Sequence, residues 1–94
     1  MDELLLSKIR LGIVAELLTA QWIAFSELQR GLDASQGNLG AHLAKLVDAG
    51  YVDEEKKFVN RRPQTQYRLS ERGRSAFSAH VTQLQSLLKG RSKP

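Results

Sequence analysis

The sequence predicts a mainly α domain carrying one small β-hairpin, in the order α-α-α-β-β-α. Three observations predict it. Apolar residues at helical spacing fill the chain up to Ala49, and Ser and Gly residues divide them into segments. Two short strand-like runs then flank a turn that contains Pro63. Finally, Phe77, Val81, Leu84 and Leu88 follow one another at intervals of 4, 3 and 4 residues, which places them on one side of a helix. A chain of 94 residues with 41% hydrophobic and 26% charged residues has the composition of one globular domain, near the small end of what folds alone. We read residues 1–89 as that domain and 90–94 as a polar tail.

The first helix is expected from Asp2 to Thr19, with Gly12 costing about 1 kcal/mol relative to Ala. At about 100° per residue its apolar side chains fall on two arcs. Leu4, Leu11, Val14, Ala15 and Leu18 share one, and Leu5, Leu6, Ile9, Ile13 and Leu17 lie nearly opposite. A small domain buries one such face in its own core. The second face needs other cover, and a second copy of the chain is the simplest source. The alternative is a central helix wrapped on both sides by its own chain.

Trp22 to Phe25 reads as a one-bridge strand or an extended lead-in. Ser26 is the expected N-cap of the second helix, with Gln29 completing a capping box, and Gly31 its expected end. Leu32 to Ala34 form a turn, Ser35 caps a third helix from Gln36 to Ala49, and Gly50 stops it. Helix, tight turn and helix at this spacing is a helix-turn-helix.

Tyr51 to Phe58 is the first strand of the hairpin, Asn60 to Gln64 its turn, and Thr65 to Leu69 the return strand. Pro63 fixes φ and lacks an N–H, which suits a turn. Ser70 caps the last helix, with Glu71 in its first turn, where the helix dipole favours an anion.

Charge is concentrated in this second half. The stretch Lys56–Arg74 holds 7 of the 14 Lys and Arg residues against one acid, Glu71, for a net +6, whereas the rest of the chain sums to −2. A basic hairpin following a helix-turn-helix suits a polyanion such as duplex DNA. On the third helix, Leu39, Leu43, Leu46 and Val47 should face inward. Ser35, Gln36, Gly37, Asn38, Ala41, His42 and Lys45 are the candidate DNA-facing residues. Gly and Ala let a backbone sit deep in a major groove, Gln and Asn suit adenine, and Lys45 suits a phosphate. The plainer reading is a solvated helix face, but two glycines, Gly37 and Gly40, are not there for helix propensity. On the hairpin, Arg61 and Arg62 are the tip candidates, with Lys56, Lys57 and Arg68 along the strands. The plainer reading here is a charged hairpin that discourages aggregation.

The stretch SQGNLGAHLAKLVDAGYV, followed by RRPQTQYRLSERGRSAF, resembles the winged-helix transcriptional regulators related to the MarR and ArsR groups. It is most similar to a compact subgroup consisting of little beyond the DNA-binding domain. Ser70 stands where that family commonly has Thr, which keeps the capping hydroxyl. The resemblance spans about Ile9 to Leu88. It implies a winged helix-turn-helix fold, a cytoplasmic, nucleoid-associated prokaryotic regulator, and a homodimer built from the first and last helices. It also implies recognition helices in successive major grooves and wings in the flanking minor grooves. The expected dimer surface is Leu5, Leu6, Ile9, Ile13 and Leu17 with Phe77, Val81, Leu84 and Leu88. The rival reading is a winged helix that uses its basic wing to bind an acidic protein.

Other classes fit poorly. No nucleophile elbow or phosphate-cradling glycine loop is present, so an enzyme is not expected. Two isolated histidines, His42 and His80, and no Cys make no metal-ligand set, and no cofactor is expected. No apolar run reaches the roughly 20 residues of a membrane helix. No residue pattern assigns a small-molecule effector.

Overall fold

The computed structural model describes residues 2–91. A 3-10 turn, Glu3–Leu6, leads into α1 (Lys8–Leu17), β1 (Ile23–Ala24), α2 (Phe25–Leu32) and α3 (Gln36–Asp48). The hairpin β2 (Val52–Val59) and β3 (Arg62–Leu69) follows, and α4 (Glu71–Arg91) completes the chain. The three strands form one antiparallel sheet in the order β1-β3-β2.

The first helix is broken where one continuous helix was expected. Asp2 Oδ1 accepts from the Leu4 amide at 3.0 Å and Ser7 Oγ from the Arg10 amide at 3.2 Å, so two caps stand within the first seven residues. Ser7 is extended (φ −73°, ψ 129°), and this resets the helical phase. As a result Leu5 enters the core, while Leu6 remains exposed.

Helix α1 lies in the centre of the domain. Ile13, Val14 and Leu17 are fully buried, and Ile9, Leu11 and Leu18 pack at their margins. Both of its apolar arcs are therefore largely covered by Leu28 of α2, by Leu39, Leu43 and Leu46 of α3, and by Val52, Tyr67 and Leu69 of the sheet. The wrapped-helix alternative is the one observed.

Helix α2 starts at Phe25, not after Ser26. The sheet holds Ile23 and Ala24 against Tyr67 and Gln66, so the chain leaves the strand directly into the helix with Ala24 as an N-cap that makes no side-chain bond. Gly31 does not end the helix. Asp33 does, in the left-handed region at φ 51°, ψ 47°, which a short polar side chain tolerates. Helix α3 matches expectation. Ser35 Oγ accepts from the Asn38 amide at 3.2 Å. At the other end Gly50, at φ 79°, donates to Val47 O and Tyr51 to Leu46 O, each at 3.0 Å, which is a Schellman closure.

The hairpin turn is Asn60–Arg61, and both residues have positive φ (51° and 66°), as a two-residue type I′ turn requires. Pro63 lies inside β3 opposite Phe58, not in the turn. Arg62 and Val59 close the turn as a hydrogen-bonded pair, so the next pair, Phe58 and Pro63, is non-hydrogen-bonded. β1 reaches only Gln66 and Tyr67, so the Pro63 nitrogen faces a free edge and the ladder is intact without its N–H.

Ser70 fastens α4 to the end of α3. Its amide donates to Tyr51 O at 3.0 Å, and its hydroxyl donates to Gly50 O and accepts from the Gly73 amide at 3.0 Å. A Cβ on Gly73 would stand 2.1 Å from Tyr51 O, so only glycine allows this approach. From there α4 runs 21 residues, about 32 Å. Gly90 and Arg91 of the expected tail belong to this helix, and residues 92–94 lie outside the described residues.

Candidate nucleic-acid interface

Helix α3 divides cleanly by burial. Leu39, Leu43 and Leu46 hold it to the core, while Ser35, Gln36, Gly37, Asn38, Ala41 and Lys45 are exposed. The open face starts at the N-terminus, where two polar side chains and a glycine stand next to the Ser35 cap. His42 is only half-exposed, because Arg10 of α1 reaches its Nδ1 at 3.0 Å. Arg10 is itself held by the Leu4 carbonyl, which accepts from Nε at 2.7 Å. Burial, then the positive charges of Arg10 and Lys45, hold the His42 pKa below its ordinary value. Sequence reasoning missed Arg10, since no local spacing connects it with a residue on another helix.

The hairpin separates its charges along its length. Each of three consecutive acids in β2 engages the residue directly opposite in β3. Asp53 accepts from Arg68 at 3.1 Å, Glu54 from the Tyr67 hydroxyl at 2.9 Å, and Glu55 from Gln66 at 2.6 Å. Burial and the Glu54 contact push the Tyr67 hydroxyl pKa well up, so it stays a donor. All the hairpin's acids are thus engaged at its base. Towards the tip, Lys56, Lys57, Arg61 and Arg62 are exposed, and no carboxylate of the described residues pairs with them.

Arg68 differs from that group in being ion-paired. It was expected to add to the wing's DNA-facing charge, but its guanidinium binds Asp53 and lies 4.7 Å over the Trp22 ring. The ion pair is half-exposed and engages Arg68 through Nε, so part of the Arg68 charge is offset at the hairpin base.

Alternation along β2 assigns faces. Lys56 and Phe58 project from the same side as Val52 and Glu54, the side that packs on the helices, and Lys57 and Val59 from the other. Beyond the core, that helix-side surface therefore carries a lysine and an aromatic ring past the end of the protein's own packing.

The expected dimer surface is only partly available. Leu5, Ile13 and Leu17 are 1%, 0% and 0% exposed within the single chain, so they cannot present a face to another molecule. Ser7 turned Leu5 inward, and the sheet and α3 cover Ile13 and Leu17. Ile9 is half-buried and Leu6 is exposed. On α4, Phe77 and Val81 are half-buried, and every residue from Thr82 to Gly90 is exposed, with Leu84, Leu87 and Leu88 among them. His80 of α4 is 2% exposed, and its Nδ1 has no hydrogen-bond partner among the described residues.

Among the described residues no cluster of His, Asp and Glu is arranged to hold a metal ion, and no helix is long and apolar enough to cross a membrane.

Comparison with known proteins agrees with this geometry. A family model described as a winged helix DNA-binding domain matches residues 9–88. An uncharacterized protein of Methanocaldococcus jannaschii is 31% identical over 83 residues, covering 88% of this chain and 90% of that one. Among solved structures, a transcriptional regulator homologue from Pyrococcus horikoshii OT3 superposes with a TM-score of 0.88 at 28% identity, covering 98% of this chain and 91% of that one. A MarR-family transcriptional regulator from Enterococcus faecalis V583 gives 0.73 at 26% identity, covering 94% and 84%.

Proposed function

The chain belongs to the winged helix DNA-binding domain family, and from that premise we propose that it is a sequence-specific, double-stranded-DNA-binding transcriptional regulator that acts as a homodimer in the cytoplasm. The observation that carries the proposal is the charge separation along the hairpin. Its acids are engaged at the base, and four basic side chains stand free near the tip, beside a helix whose exposed face is small and polar.

In this reading α3 enters a major groove from its N-terminal end. Gln36 and Asn38 reach base edges, Gly37 and Ala41 let the backbone approach, and Lys45 meets a phosphate. The wing lies over the neighbouring minor groove, where Arg61 and Arg62 meet concentrated negative potential and Lys56 and Lys57 line the approach. His42 acts differently from a base-reading residue. Held by Arg10, it sets the seating of α3 on α1.

Two copies join through the distal half of α4. Leu84, Leu87 and Leu88 form an exposed apolar stripe among the described residues, and Leu88 is 71% exposed. A long helix with a bare apolar stripe is stabilised by a second copy of itself. Leu6, 60% exposed on the 3-10 turn, and the half-buried Ile9 are the residues of the expected face of the first helix still open to a second chain. Titrating purified protein into labelled duplex fragments at low salt, with light scattering on the same sample, tests both halves. Saturable duplex binding by a particle of two chains is expected. A monomer mass at tens of micromolar overturns the dimer, and no duplex binding overturns the regulator.

A further inference from the structure

Phe58 is 76% exposed, more than any other large hydrophobic residue among those described. It stands at the far end of β2, two residues before the turn, with Pro63 directly across from it in a non-hydrogen-bonded pair, where opposing side chains come closest. Lys56 and Lys57 precede it, Arg61 and Arg62 follow, and no acid occurs between Glu55 and Glu71. The result is an apolar pair on one face of the wing, with Lys56 beside it on that face, Arg61 in the adjoining turn, and Lys57 and Arg62 on the opposite face.

We infer that Phe58 is an apolar contact to the minor groove of duplex DNA, its ring lying against deoxyribose and base edges while Lys56 and the basic side chains of the turn hold the phosphates. This rests on the DNA-binding reading above and adds a residue and a kind of force to it. The groove's walls are sugar C–H surface and its rims are phosphate, so an apolar pair on a basic wing complements it in both chemistry and charge. Apolar side chains entering the minor groove favour steps that unstack easily, and pyrimidine–purine steps open most readily. Phe58 thereby gives the wing a preference among flanking sequences that Arg61 and Arg62 alone do not supply.

The Lys and Arg contribution falls as salt releases counterions, whereas an aromatic contact releases none. Phe58→Ala should therefore weaken binding about tenfold, in line with removal of an aromatic–base contact, while the slope of log K against log salt stays as in the wild type. Phe58→Leu should retain part of the affinity. Phe58→Trp places an indole at the tip, and duplex should quench its emission beyond any change of Trp22 in the wild type. Because the side chain is exposed, none of these substitutions disturbs the core. Equal affinity of wild type and Phe58→Ala overturns the inference and leaves the DNA reading standing, as does an indole whose emission duplex leaves unchanged. A Phe58→Ala protein that falls to a monomer mass reassigns the ring to a protein contact and overturns it too. Absence of duplex binding by the wild type itself removes the reading beneath it.

Discussion

Arg10 and His42, 32 residues apart in the chain, meet at 3.0 Å, the guanidinium donating to imidazole Nδ1. Arginine only donates, so Nδ1 is an acceptor and the ring proton lies on Nε2. The contact adds a polar link between α1 and α3, which also meet through Leu39, Leu43 and Leu46. It also requires His42 to be neutral.

That requirement has a pH signature. Burial, then Arg10 and Lys45, lower the His42 pKa below the ordinary 6.5. The unfolded chain therefore takes up a proton at a higher pH than the folded one. The stabilising contribution is complete above 6.5 and is lost as pH falls through it towards the depressed folded value. Urea unfolding of the wild type and His42→Gln on both sides of pH 6.5 checks this, the variant being expected to show the shallower loss on acidification. In Arg10→Met, NMR titration should find the His42 pKa moved up part of the way, since burial remains.

Gly37 is exposed in the first turn of α3, and a Cβ there would meet nothing within 4 Å. Gly37→Ala should therefore raise stability, by up to about 1 kcal/mol. The same methyl would stand between the helix backbone and a groove floor, so duplex affinity should fall. Thermal unfolding and a binding titration on one sample give both signs. Gly73→Ala is the control, because its Cβ would overlap Tyr51 O; it should lose about 3 kcal/mol.

Arg61 occupies a left-handed position, φ 66°, in a turn type that prefers glycine there. A non-glycine residue held in that region costs about 1 kcal/mol. Arg61→Gly should thus raise the melting temperature while weakening binding to every duplex. A gain in stability together with unchanged binding would remove Arg61 from the interface.

Leu84 and Leu88 lie one helical turn apart on the exposed half of α4. Replacing both by Glu should yield monomers by light scattering with helical content retained, because neither side chain supports the core. A dimer mass in that variant would place the interface elsewhere.

The parts of the fold legible in the sequence were those set by local signals. Ser35 and Gly50 bounded α3 because a capping hydroxyl and a left-handed glycine act within one turn of chain. The hairpin was legible, but its turn was drawn over Asn60–Gln64 and so took in Pro63, because Asn60–Arg61 lacks the glycine that marks a two-residue turn. That shift concealed the register, and with it the pairing of Asp53, Glu54 and Glu55 with Arg68, Tyr67 and Gln66. Arg68 therefore looked free. The dimer face on α1 was misassigned for a related reason. Two apolar arcs show that both sides of a helix need cover, and only the tertiary arrangement shows that the same chain covers both. The exposed end of α4 carries an equally plain stripe and has no such cover among the described residues.

The salt dependence of duplex binding tests the central claim most directly. Each phosphate that the protein no longer neutralises should make log K against log salt shallower by about 0.9. The wild type should therefore show a steep slope, and Arg61→Ala/Arg62→Ala a shallower one, by up to about two phosphates per chain, with weaker binding on every sequence. Equal slopes for the two proteins would contradict the role assigned to the wing tip, and a wild type that binds no duplex at low salt would contradict DNA recognition altogether.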